Sequence, residues 1–106
     1  MGMKEISVQQ LQALIAAGQT VVLDVRTPEE LALAALPGAR HIPLHELPQR
    51  FADLNPAATI AVLCHHGVRS LLAARLLEQN GFTDVSSVAG GIAAWSEQID
   101  PSVPQY

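Results

Sequence analysis

Two short apolar runs, Val21-Val22-Leu23 and Ile60-Ala61-Val62-Leu63, each hand over abruptly to a chemically distinct residue, Asp24 in the first case and Cys64 in the second. A strand with one wet face alternates apolar and polar residues, so a run without alternation marks a strand covered on both faces, as in a parallel sheet between helices. The intervening segments have helical spacing. Ser7 can cap a helix with Val8, Leu11, Leu14 and Ile15 on one face and Gly18 at its end. Thr27-Pro28-Glu29-Glu30 starts a second, short helix, with Pro at the first position and Glu30 completing a capping box with Thr27. After the Pro37-Gly38 break, His41-Ile42 reads as a brief strand and Glu46 to Leu54 as a helix stopped by Asn55-Pro56. The helix following Cys64 puts Leu72, Ala73, Leu76 and Leu77 on one face, with Arg75, Glu78 and Gln79 opposite. A short strand near Lys4 to Ile6, a weaker one at Val85 to Val88 and a last helix from Ile92 to Gln98 complete the alternation, which predicts an α/β domain with a mostly parallel sheet. In such sheets ligands bind beyond the carboxyl ends of the strands, where Asp24, Arg26 and Cys64 fall.

The 106 residues suffice for one domain and one core. Nearly half of them are hydrophobic and only 15% charged, which supplies the apolar surface that layers around a sheet require. No internal repeat is visible. Residues 1–106 therefore read as a single domain, with a core of about 4–99 and a tail, 100–106, that Pro101 and Pro104 leave extended. The formal charge of −4, with six dispersed basic residues, argues against a nucleic-acid partner. No segment approaches the ~20 apolar residues of a membrane span, and the stretch Leu11 to Ala17, broken by Gln12, is a poor signal peptide. Gly2 has Ile6 where a myristoylation motif wants Ser or Thr. A cytoplasmic location is the resulting expectation, and a lone cysteine excludes an internal disulfide framework.

Cys64 stands where a buried strand gives way to a helix, in Cys64-His65-His66-Gly67-Val68-Arg69-Ser70. A lone cysteine is often no more than a small buried hydrophobe. A thiol on a short loop, with N–H groups converging from the loop and from the next helix, instead sits in positive potential that favours its anion. Gly67 allows the tight turn, and Arg69 adds fixed charge and planar donors, so a small anionic substrate is expected. His65 and His66 could ligate a metal together with Cys64, but adjacent side chains on a tight loop diverge and no second pair at zinc spacing exists, so no metal site is expected. They can line the mouth of the site or stand in solvent as bystanders. Ser70 most simply caps the following helix, Trp95 reads as core, and His41 and His45 as surface or satisfied polar positions.

The loop, with Gly three and Arg five residues after Cys64, resembles the active-site loop of the rhodanese sulfurtransferases. Leu23-Asp24-Val25-Arg26-Thr27-Pro28-Glu29-Glu30 resembles the first signature of that family, Pro37-Gly38-Ala39-Arg40-His41-Ile42-Pro43 its second, and Val88-Ala89-Gly90-Gly91-Ile92-Ala93-Ala94-Trp95 its closing one. The resemblance implies a three-layer α/β/α domain with a central sheet of about five strands. It implies Cys64 as catalytic nucleophile; His65, His66, Gly67, Val68 and Arg69 as the substrate-binding loop; and Asp24, Arg26 and Ser70 as support, the first two bracing the loop with Glu29 or Glu30. The six-residue loop from Cys64 to Arg69 is typical of the sulfurtransferases, whereas phosphatases and arsenate reductases on this fold carry one residue more. The implied activity is thiosulfate sulfurtransfer, without cofactor, from a small anionic sulfur donor to cyanide, a thiol or a protein acceptor through a Cys64 persulfide. A persulfide relay or binding module fed by a partner protein, a phosphatase and a non-catalytic regulatory domain are the alternatives. The chain departs from the family where Gly-His usually precedes Pro-Gly-Ala; here Ala34 and Ala35 stand instead, which leaves open what Asp24 and Arg26 bond to.

Overall fold

The computed structural model describes residues 3–106, so Gly2 lies outside the described residues. Five strands, β1 (Glu5–Ile6), β2 (Thr20–Asp24), β3 (Arg40–His41), β4 (Thr59–Leu63) and β5 (Asp84–Val88), form one sheet in the order β1-β5-β4-β2-β3. Every neighbouring pair is parallel. The two apolar runs are the adjacent central strands, with Leu23 opposite Val62 and Asp24 opposite Leu63. Beyond the ladder, the Val25 N–H donates to the Leu63 carbonyl at 3.0 Å, so the strand ends that lead to Asp24 and Cys64 are tied together.

The pleat sends alternate side chains to opposite layers. Leu23, Val25, Ile60, Val62 and Cys64 face one core with Ala73, Ala74 and Leu77 of α4 (Val68–Gln79) and with Leu47 and Leu54. Val22, Ala61 and Leu63 face the other, against α1 (Val8–Ala17), α5 (Gly91–Gln98) and the segment after α2 (Pro28–Leu33). Helical layers thus cover both faces, as expected of a three-layer α/β/α domain. Among the described residues no helix is long and apolar enough to cross a membrane.

Several local expectations change. The segment Glu46 to Leu54 is not one helix but a 3-10 turn at Leu44–Glu46, a four-residue helix α3 (Leu47–Arg50) and a second 3-10 turn at Phe51–Asp53. Pro48 explains the break: with no N–H and a ring that would meet the carbonyl four residues back, it begins a helix rather than continuing one. In α4 the inner face is Ser70, Ala73, Ala74 and Leu77, and Leu72 is 56% exposed. Ile15 of α1 is likewise 41% exposed, and Trp95 is half-buried at the edge of its cluster. Both capping boxes form, Ser7 with Gln10 and Thr27 with Glu30.

The tail is not a free extended strand. Asp100 Oδ1 accepts from the Ser102 N–H and hydroxyl at 3.0 and 2.6 Å, and the Val103 N–H donates to the Asp100 carbonyl at 3.1 Å. This turn buries Val103 in the α1/α5 layer, where its carbonyl accepts from the Ser96 hydroxyl. The chain is thereby returned across α5, and Tyr106 comes to rest against the Cys64 loop.

Candidate active site

Cys64 follows directly on β4 and is only 1% exposed. The loop folds back over its sulfur: the Gly67 N–H donates to Sγ at 3.0 Å, the Ser70 N–H at 3.4 Å, and Ser70 Oγ lies 3.3 Å away. Gly67, at φ 109°, forms the N-cap of α4. That conformation strains any residue with a Cβ. Ser70 therefore does not cap the helix from its N-terminus. It lies inside the first turn, fully buried, with its hydroxyl held 2.7 Å from Ser87 Oγ of β5. Ser87 carries no sequence signal of its own, since its strand also holds Asp84 and Ser86.

The closing glycine pair holds the loop from the other side. The first amides of α5 donate to loop carbonyls, Ile92 N–H to Cys64 O at 2.9 Å and Ala93 N–H to His65 O at 3.1 Å. With the carbonyls turned to α5, the Gly67 and Ser70 amides are left to face the sulfur. Gly91, at φ 61°, makes this approach possible, since a Cβ there would collide with the carbonyl oxygens of both Cys64 and His65. The Gly90-Gly91 pair by itself gives no sign of this contact in the sequence.

Arg69 is engaged by a carboxylate. Its two terminal nitrogens donate to both oxygens of Glu30 on α2, Nη1 to Oε1 at 2.6 Å and Nη2 to Oε2 at 2.9 Å. Tyr106 Oη donates to Glu30 Oε2 at 2.8 Å, and the Thr27 N–H to Oε1 at 3.2 Å. These donors, Arg69 foremost, hold the Glu30 carboxyl well below the usual carboxylate range. The Tyr106 ring stacks on His65 at 3.9 Å between centroids, and His65 on His66 at the same separation. Burial, and then the neighbouring His66, push the His65 pKa down. His66 and Val68 are exposed. A cleft of about 100 Å³ lies beside the loop, between the two histidines, Ala93, Glu97, Pro104 and Tyr106.

Asp24 and Arg26 lie behind this layer. Arg26 is fully buried and all its N–H groups find acceptors: Nε and Nη2 on Asp24 at 2.7 to 3.1 Å, Nη2 also on the Ala34 carbonyl at 2.7 Å, and Nη1 on Tyr106 Oη at 2.8 Å and the Glu30 carbonyl at 3.4 Å. A buried guanidinium requires this saturation. The Ala34 contact is to the main chain, so Arg26 finds its partner without a histidine in that segment. Glu30, not Glu29, is the carboxylate that reaches the loop. His41 Nε2 pairs with the Arg26 carbonyl at 2.7 Å, while His45 is exposed. Among the described residues, no three His, Cys, Asp or Glu side chains stand together as a metal site.

A doubly covered parallel sheet with a cysteine loop between β4 and α4 defines an α/β protein that holds one sulfur atom against two main-chain donors. Residues 7–98 match the model of the rhodanese-like domain, and the chain belongs to that family. It is 37% identical over 111 residues to Rhodanese-like/PpiC domain-containing protein 12, chloroplastic, of Arabidopsis thaliana, covering 97% of this chain and 37% of that one. It is 39% identical over 92 residues to the thiosulfate sulfurtransferase GlpE of Ectopseudomonas mendocina (strain ymp), covering 87% and 84%. The crystal structure of a rhodanese-related protein from Thermoplasma volcanium superposes with a TM-score of 0.86 at 34% identity, covering 97% and 99% of the two chains. The chain spans about a third to a half of the length of some curated relatives.

Proposed function

We propose that this chain is a sulfurtransferase that carries a sulfane sulfur on Cys64. The observation that carries the reading is the sulfur's surroundings: two N–H groups, of Gly67 and Ser70, donate to Sγ, and Ser70 Oγ stands beside it as the acceptor of the thiol. In the first step the Cys64 thiolate attacks the outer sulfur of a donor. With thiosulfate, the new S–S bond forms as the old one breaks, and sulfite leaves with the electron pair, so a thiolate and a dianion become a persulfide anion and a dianion. The Gly67 and Ser70 N–H groups, already aimed at Sγ, stabilise the attacking thiolate without reorganising, and the charge moves outward by one bond as the persulfide forms. In the second step a nucleophile takes the outer sulfur and returns the thiolate; cyanide leaves as thiocyanate, a thiol as its persulfide. No metal or cofactor enters either displacement. The loop residues His65, His66, Gly67, Val68 and Arg69 form the binding rim, and Asp24, Arg26 and Ser70 support it.

The relatedness to a thiosulfate sulfurtransferase supports thiosulfate as one donor. Val68, 69% exposed, and Leu72 flank the loop and supply apolar surface suited to a protein acceptor or donor, which favours sulfur relay as a second role. A reducing, cytoplasmic setting suits a lone catalytic thiol. The test is thiocyanate formation from thiosulfate and cyanide: turnover by the wild type, none by Cys64→Ser, and no hydrolysis of an aryl phosphate. Normal turnover by the Ser variant would remove Cys64 from the mechanism.

A further inference from the structure

Arg69 is the one Lys or Arg of the Cys64 loop, and its charge is matched by Glu30. The contact is a fork on a fork, and the Tyr106 hydroxyl and the Thr27 N–H hold the carboxylate from two further directions. Arg26, the second cation nearby, is fully buried against Asp24. His65 is shifted toward its neutral form by burial and by His66. An anion approaching Cys64 therefore meets main-chain dipoles but two ion pairs of zero net charge. Thiosulfate brings two negative charges, whereas the persulfide of a simple thiol brings one.

We propose that Glu30 is a positioning residue that, by neutralising Arg69, selects against highly charged anions at Cys64 and so favours a thiol persulfide over thiosulfate as sulfur donor. The donor preference rests on the sulfur-transfer reading above; the charge selection does not. Glu30→Gln separates the ion pair from the helix cap, because Gln serves equally as the distal member of a capping box. It leaves Arg69 with an uncompensated charge. Glu30→Asp keeps the charge and shortens the reach.

The first arm reads charge selection without any sulfur donor. Alkylation of Cys64, the sole cysteine, is followed by intact mass with iodoacetate and with iodoacetamide, which differ by one charge. Glu30→Gln is expected to raise the iodoacetate-to-iodoacetamide rate ratio about three- to fivefold at low ionic strength, the effect of one unscreened charge several ångströms away. The gain shrinks in 0.5 M salt, on the order expected from screening. Arg69→Ala lowers the ratio, Glu30→Asp stays close to wild type, and the double variant Glu30→Gln/Arg69→Ala returns toward it. The second arm compares donors: in Glu30→Gln the KM for thiosulfate falls relative to that for cysteine persulfide, with kcat changed less. An unchanged alkylation ratio in Glu30→Gln, or a change that salt does not reduce, overturns the charge selection. A ratio that responds while neither donor places sulfur on Cys64 upholds it and overturns the sulfur-transfer reading instead.

Discussion

Ser70 and Cys64 are joined twice: the Ser70 N–H points at Sγ from 3.4 Å and its hydroxyl lies 3.3 Å from the same sulfur. The hydroxyl is also 2.7 Å from Ser87 Oγ, so a buried chain runs from β5 through α4 to the Cys64 sulfur. Ser70→Ala leaves the buried Ser87 hydroxyl without this partner, a loss of about 1–2 kcal/mol. Ser87→Ala should cost a similar amount, and the double variant less than the sum, because each single change already breaks the same bond. Urea unfolding of the four proteins checks this; additive losses would show that the chain is not a unit.

Gly91→Ala is expected to be among the most damaging small substitutions. The residue must keep a left-handed φ, about 1–2 kcal/mol against any Cβ, and the added methyl also meets the Cys64 and His65 carbonyls. Because those carbonyls anchor the loop, persulfide formation should fall together with stability. The melting temperature and the rate of sulfur loading report the two effects; a variant unchanged in both would contradict the close packing of α5 on the loop.

Arg26→Ala leaves Asp24 buried beside no cation and frees the Ala34 carbonyl. Breaking such a pair from one side costs about 3–5 kcal/mol. Arg26→Met combined with Asp24→Leu removes both charges and should recover much of that loss. Chemical denaturation of the single and double variants measures the difference, and equal losses would mean that the burial of Asp24 is not what destabilises the single variant.

Glu30 predicts an acid-sensitive fold. Its carboxyl is held below the ordinary range in the folded chain, chiefly by Arg69, so the unfolded chain binds the proton more readily. The contribution is fully present above the ordinary glutamate pKa of about 4.3 and is lost as the pH falls below it toward the depressed folded value. Glu30→Gln should flatten the stability profile below about pH 5, where that loss begins. Thermal melts between pH 3 and 7 test this; parallel profiles for the two proteins would refute it.

The elements that declared themselves in the sequence were those with local causes. Asp24 and Cys64 were placed at strand ends because continuous apolar runs precede them, and Thr27 with Glu30 was legible as a helix start because a cap is a four-residue matter. The second task of Glu30 was not, since Arg69 lies 39 positions away and nothing local ties the two. Periodicity finds the apolar stripes of α1 and α4 but not their rotation. In α4 the rotation follows from Ser70, which must sit under Cys64 and Ser87, and Leu72 is turned outward as a result. Two prolines favour an extended tail, yet Asp100 makes a side-chain turn that buries Val103 and delivers Tyr106 to Glu30 and Arg26. The Gly90-Gly91 contact with the loop depends on how closely two backbones approach, a tertiary distance that no spacing encodes.

The central claim is that Cys64 carries the sulfur. Intact mass measured before and after incubation with thiosulfate, and in parallel with cysteine persulfide, tests it most directly. A gain of one sulfur atom, reversed by cyanide or a thiol and absent in Cys64→Ser, is the predicted result. No gain from either donor, or the same gain in Cys64→Ser, would contradict it.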